Sequence, residues 1–297
     1  MRSMKIDPRR THAHSRTPTE PNIPYRVFPE AIDASEASAL EIATLVRSRA
    51  AEGRTCVLGL ATGSTVVNVY SALVRMHREQ GLSFANVVVY VLDEFFPMDP
   101  SCLQSHVRFM YEHLFDHIDL PRDQIHIPDG TIRQEDLIDY CLRFENRIGE
   151  HGGIDMLILG IGRSGHIGFN EPGSGTESRT RPITLDAMTR IDAASNFFGV
   201  ENVPRRAITM GIRTILDARR IILLAFGEGK SAIVARSIEG EIAPAVPATF
   251  LQRHDDVEFF LDSAAAANLK EIRAPWLVGD VCWDDVMVRR AVIALSQ

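Results

Sequence analysis

The stretch Leu159–Gly175, LGIGRSGHIGFNEPGSG, sets His166, Asn170 and Glu171 within a run of glycines that follows an apolar segment. An imidazole titrates near neutrality, and a carboxylate five residues away on the same irregular loop can orient it. The pair therefore suits acid–base work. Ser164, two residues before the histidine, can hydrogen-bond the ring. LDEFF (Leu92–Phe96) carries adjacent acids, Asp93 and Glu94, at the end of another apolar segment. On an extended strand they point to opposite faces, so one can face a ligand and abstract a proton while the other caps or pairs locally.

Two further loops suit an anion. In ATGST, Gly63 stands among Thr62, Ser64 and Thr65 just before a helical pattern. Backbone N–H groups there can converge on a phosphate at the positive end of the helix, or a hydroxyl can simply cap it. FGEGKS puts Lys230 at the start of a helix, where the dipole disfavours a cation unless an anion is near. A solvated surface lysine is the plain alternative. Neither loop is a Walker A motif, because no G-x-x-x-x-G-K occurs.

Gly160, Gly162 and Gly165 spell G-x-G-x-x-G, the pattern of a dinucleotide site. That site needs a helix to start within the glycines, so that a pyrophosphate meets its N-terminus. Here HIGFNEPGSG follows, with more glycines and Pro172, so a helix does not start and a dinucleotide is not expected. The glycines instead let the backbone approach a small ligand, beside Arg163.

The elements that must position these loops alternate. Ser35–Gly53 reads as a helix capped by Ser35 and stopped by Gly53, and Thr55–Ala61 as a buried strand. Val66–Gly81 is a helix, Asn86–Phe95 a strand, and Ser105–Ile118 and Leu137–Gly152 are helices. Ile154–Gly162 is a strand, Arg206–Ala218 a strand start with a short helix, Arg219–Gly227 a strand, Lys230–Gly240 a helix and Asp256–Asp262 a late strand. This strand–turn–helix rhythm predicts an α/β fold: a doubly wound, mostly parallel sheet with helices on both faces. Ligands in such sheets sit beyond the carboxyl ends of the strands, where the four loops lie. Residues 25–297 read as a single domain after a flexible arm, 1–24, rich in Pro, Thr and His. The tail is expected to close with a helix that packs Trp276 and Trp283 on the body.

The chain of 297 residues carries a formal net charge of −7, with no basic block, so nucleic acid is not an expected partner, although a local site can still bind an anion. No apolar run reaches membrane-spanning length, and the arm lacks the apolar core of a secretory signal. Cys56, Cys102, Cys141 and Cys282 are scattered singly, as expected of reduced thiols in a cytoplasmic protein.

Taken together, LGLATGSTVVNVYSAL, VYVLDEFF, LGIGRSGHIGFNEPGS, ESRTR, AITMGIRTILDARRIILLAFGEGK and ARSIEGEI resemble the glucosamine-6-phosphate deaminase/isomerase family, from about Tyr25 to Leu269. That family shares a superfamily with 6-phosphogluconolactonases, and this chain resembles its divergent G-R-S-G-H branch. The resemblance implies a Rossmann-like fold and a homo-oligomer. It implies an aldose–ketose isomerisation with deamination of an amino-sugar phosphate: glucosamine 6-phosphate and water give fructose 6-phosphate and ammonia, with no cofactor and no metal. It makes Asp93 the proton shuttle between C2 and C1, and His166 the ring-opening acid–base, tuned by Glu171. Thr62, Gly63, Ser64, Thr65 and Lys230 would hold the phosphate, and Glu94, Gly162, Arg163 and Asn170 would complete the substrate contacts.

Three positions depart from the family pattern. Ser164 stands where the family has an Asp, and Asn196 where it has a substrate-binding Arg, a cation that Arg163 is expected to replace. Ile183 stands where a basic residue of an allosteric site is expected, so that regulation is not expected here. A lactonase or other sugar-phosphate isomerase, or a non-catalytic sugar-phosphate sensor, is the alternative.

Overall fold

The computed structural model describes residues 22–295. Ten strands form: β1 (Tyr25–Phe28), β2 (Cys56–Leu60), β3 (Val87–Val91), β4 (Asp93–Phe96), β5 (Ile125–His126), β6 (Met156–Gly160), β7 (Arg181–Thr184), β8 (Arg206–Thr209), β9 (Arg220–Ala225) and β10 (Val257–Asp262). Seven of them make one sheet in the order β1-β10-β9-β6-β2-β3-β5, and every neighbouring pair in it is parallel. β2 and β3 are buried along their whole length, as expected of short Val/Leu-rich runs covered on both faces. Around this sheet pack the helices α1 (Ala31–Ala51), α2 (Val67–Gln80), α3 (His106–His113), α4 (Leu137–Glu150), α6 (Ile212–Leu216) and α7 (Ser231–Glu239), while α5 (Ala187–Ala193) sets Ala193 against a separate small core with Phe95 and Ala207. Two more, α8 (Lys270–Arg273) and α9 (Asp285–Leu295), follow β10.

The sheet order explains the site. β3, β2, β6 and β9 are consecutive neighbours running the same way, so LDEFF, ATGST, GIGRSGH and FGEGK all emerge side by side at one edge. The order grows outward in both directions from the β2–β6 pair, which makes that edge the switch point where α/β sheets bind ligands.

Several sequence expectations are corrected. Asn86–Phe95 is two strands, not one: β3 ends at Val91, and β4 leaves for a second, antiparallel sheet of order β4-β8-β7. Leu92 is the joint, its N–H donating to Leu60 and its C=O accepting from Met210. α1 starts four residues before Ser35, capped by Glu30 in a capping box with Asp33; Ser35 lies inside the helix and donates to the Ala31 carbonyl. Gly53 takes a positive φ of 66° just past the helix, the conformation that stops it. Lys230 ends a short 3-10 turn and caps α7 rather than lying within it.

The expected arm lies outside the described residues through Pro21, but Ile23, assigned to it from composition, is fully buried in the core. The Pro24 carbonyl accepts from Phe259, so the chain is already joined to the sheet there. Nor do the tryptophans pack into the core: Trp283 is 56% exposed and Trp276 half-buried, and their rings face each other with centroids 6.2 Å apart. No helix among the described residues is long and apolar enough to cross a membrane.

Candidate active site

A cleft of about 720 Å³ opens at the carboxyl edge of the parallel sheet. Ala61–Thr65 line it. Gly63 adopts φ 102° there, a conformation that a side chain would strain, and turns the chain from β2 into the 3-10 turn Ser64–Val66 and then α2. The first amides of that turn have no preceding helical carbonyl to bond, so they are free for an anion. Lys230 lines the same cleft, and its Nζ donates to the Ile161 carbonyl at 2.7 Å, which fixes the ammonium beyond the end of β6. Burial pulls the Lys230 pKa below its ordinary value; Asp192 opposes that and Arg163 adds to it.

The β6 loop folds back on itself, with Gly162 N–H donating to the His166 carbonyl at 3.0 Å. The imidazole lies flat against Gly162, where a Cβ would come within 2.1 Å of ring atoms. No other residue type fits at Gly162 without displacing the ring. Nδ1 of His166 is 2.9 Å from Ser164 Oγ, 3.4 Å from Thr189 Oγ1 and 3.6 Å from Glu171 Oε2. With three oxygens around it, Nδ1 carries the proton, and Nε2 is left toward the cleft as a lone pair. Burial holds the His166 pKa below its ordinary value; the Glu171 charge works against that shift and Lys230 with it. The ring is thus a neutral imidazole at pH 7, able to accept and return a proton.

Asp93, the first residue of β4, faces the cleft, and Glu94 turns the other way. Asp93 Oδ2 is 3.3 Å from where a Cβ on Gly168 would stand, so the carboxylate rests over bare backbone of the His166 loop. Glu94 is buried and accepts from Ser105 Oγ at 2.8 Å and from the Phe95 and Val107 amides. It anchors the start of α3 and does not line the cleft, contrary to the expectation of a substrate contact.

Asn170 is likewise fully buried, its amide donating to the Ile167 and Met210 carbonyls and its oxygen accepting from Arg181. It holds the loop's shape. Glu171 and Ser164 stand behind the imidazole and reach the cleft only through it. Arg163 does not replace the missing cation: it pairs with Asp192, is 55% exposed and lies off the cleft wall, which Asp192 and Asn196 line instead. In the ESRTR segment Arg181 is tied to Asn170 and Ser174, and Ile183 packs against the small core beneath β4. Among the described residues no group of three or more His, Cys, Asp or Glu side chains is placed to hold a metal.

Sequence reading missed several lining residues. His106, the first residue of α3, puts Nδ1 3.0 Å from Asp93 Oδ1. Its signal was present: a histidine directly after the Ser105 cap, about ten residues beyond LDEFF. Thr189 and Asp192 sit on α5, and Phe197 and Phe198 follow it, in a stretch with no periodicity to assign.

The model of the glucosamine-6-phosphate isomerases/6-phosphogluconolactonase family matches residues 29–259, well over half of the chain. The chain belongs to that family. It is 46% identical over 242 residues to glucosamine-6-phosphate deaminase 2 of Giardia intestinalis, covering 80% of this chain and 89% of that one. It is 42% identical over 275 residues to a glucosamine-6-phosphate deaminase-like protein of Bacteroides thetaiotaomicron, covering 93% of this chain but only 42% of that longer relative. Among solved structures, a monomeric glucosamine-6-phosphate deaminase superposes with a TM-score of 0.79 at 36% identity, over 83% of this chain and all of the other. The 6-phosphogluconolactonase of Trypanosoma brucei, at 20% identity and a TM-score of 0.68, shares the fold.

Proposed function

We propose that this member of the family is a glucosamine-6-phosphate deaminase. The observation that carries the reading is the meeting, in one cleft, of the ATGST turn with Lys230, the Asp93 carboxylate and a neutral His166. The phosphate binds the turn and Lys230, which fixes the sugar so that its C1 and C2 lie by Asp93. His166 Nε2 takes the proton of the C1 hydroxyl and returns one to the ring oxygen, opening the ring. Asp93 then removes the C2 proton, giving an enolamine, and delivers it to C1, leaving an imine at C2. Water adds to that carbon and ammonia leaves, so glucosamine 6-phosphate and water become fructose 6-phosphate and ammonia. Glu171 and Ser164 hold the imidazole from behind, and the missing Asp at position 164 leaves Glu171 as the nearest charge behind the ring.

The proposal extends to residues 25–297 acting as one unit in the cytoplasm, in the breakdown of amino sugars, and assembling as a homo-oligomer, which sedimentation reads directly. The solved deaminase neighbour is itself monomeric. The activity is tested by offering the protein glucosamine 6-phosphate and 6-phosphogluconolactone in parallel. Equal release of ammonia and fructose 6-phosphate supports the reading. Lactone hydrolysis, or binding without turnover, refutes it.

A further inference from the structure

His106 lies opposite the His166 loop and makes an unusual bond to the carboxylate that the mechanism uses. Its Nδ1 is 2.9 Å from the carbonyl oxygen of Asp93 and 3.0 Å from Oδ1 of the same residue. Both are acceptors when the carboxylate is ionised, so Nδ1 carries a proton shared between them. The ring cannot swing away. It stacks on Phe169 at 16° between planes with centroids 5.9 Å apart, and meets Phe95 edge-on at 5.2 Å. The backbone that carries it is fixed too: Ser105 caps α3 and donates to Glu94 on β4, so the helix start is bolted to the strand that bears Asp93.

With Oδ1 tied to the imidazole, Oδ2 is the oxygen lying by Gly168, and no protein hydrogen bond is made to it among the described residues. We propose that His106 is a positioning residue for the proton shuttle, holding Oδ1 of Asp93 so that Oδ2 alone carries the proton from C2 to C1 of the sugar. This rests on the reading of Asp93 given above. The charge balance fits the task. Burial works against a charged ring, but the hydrogen bond and charge of Asp93, with Glu94 behind, raise the His106 pKa to about 9. A charged ring keeps its Nδ1 proton in place as the donor to Oδ1 while Oδ2 takes up and gives back the substrate proton.

The test compares four variants by steady-state kinetics on glucosamine 6-phosphate: H106F, H106N, H106Q and D93N. Phenylalanine keeps the stacking and removes the donor. Asparagine places an amide N–H where Nδ1 stood, and glutamine reaches the Nε2 position instead. We expect H106F to lower kcat by about thirtyfold with KM within about threefold of wild type, because the tie acts on the transferring group rather than on binding. H106N should regain most of kcat, and H106Q should stay as low as H106F. A kcat for H106F within about twofold of wild type overturns the proposal. Should H106F fail to fold, equal rates for H106N and H106Q overturn it just as well. D93N separates the two claims: an active D93N defeats the assignment of Asp93 itself, whereas an inactive D93N beside a fully active H106F defeats only the role of His106.

Discussion

Glu171 Oε2 lies 3.6 Å from His166 Nδ1, is buried, and has no hydrogen-bond partner of its own. Its other oxygen accepts from the Asp186 amide. A buried carboxylate oxygen left without a donor is costly, so the arrangement makes sense if the imidazole becomes a cation during turnover and Glu171 meets it then. Replacing Glu171 by Gln keeps the shape and removes the charge. The expected result is a kcat lower by about ten- to a hundredfold. The His166 titration, followed by NMR of its ring protons, should also move to lower pH, because Glu171 is what opposes burial there. An unmoved titration means that the two groups do not communicate.

Gly162 is the seat of the imidazole. An alanine there would drive a methyl group into the ring, so Gly162→Ala should displace His166 while the parallel strands stay intact. Overpacking of this kind costs about 1–3 kcal/mol. Activity should fall by more than about a hundredfold, since a misplacement near 1 Å at a reacting group costs that much. Urea denaturation and kcat, measured on the same preparation, check both figures.

In the proposed reaction Lys230 holds the phosphate and does not itself react. Lys230→Met should raise KM about ten- to a hundredfold with kcat changed much less, the mark of a contact made equally before and during the reaction. The loss should vanish for glucosamine without its phosphate. An equal loss with the unphosphorylated sugar places Lys230 somewhere other than the phosphate.

The two cleft histidines pull stability in opposite directions as pH changes. His106 is raised from 6.5 to about 9 in the fold, so its contribution is full below pH 6.5 and is lost as pH rises through about 9. His166 is lowered, so its contribution is present above 6.5 and is lost as pH falls below that value toward its folded pKa. The joint contribution of the two rings should therefore be greatest near pH 6.5. H106N should flatten the alkaline slope and H166N the acid slope in urea titrations across pH 5 to 9. A slope unchanged by its own variant contradicts the assignment.

What could be read in advance divides along physical lines. The alternation of apolar runs with helical periods is local, so the parallel sheet and its four ligand-facing loops were legible in the residues. The break at Leu92 was not. In Asn86–Phe95 strand-forming residues flank the two acids on both sides, and only pairing with the distant β8 pulls Asp93–Phe96 into a second sheet. Glu94 and Asn170 were expected in the cleft for a related reason: a polar residue beside a candidate acid or base looks like a substrate contact until its buried partners, Ser105 for one and Arg181 for the other, are seen. Arg163 could not be placed because its partner, Asp192, is 29 residues away on α5. His106 was missed because its chemistry exists only in the contact with Asp93, which two clamped elements create.

The central claim is that Asp93 moves the proton between C2 and C1. It is tested most directly by following ammonia and fructose 6-phosphate together for wild type and Asp93→Asn at saturating glucosamine 6-phosphate. The account predicts equal release of the two products by wild type, and a rate about a thousandfold lower for the variant, with the sugar phosphate still bound. A variant within about tenfold of wild type would contradict it.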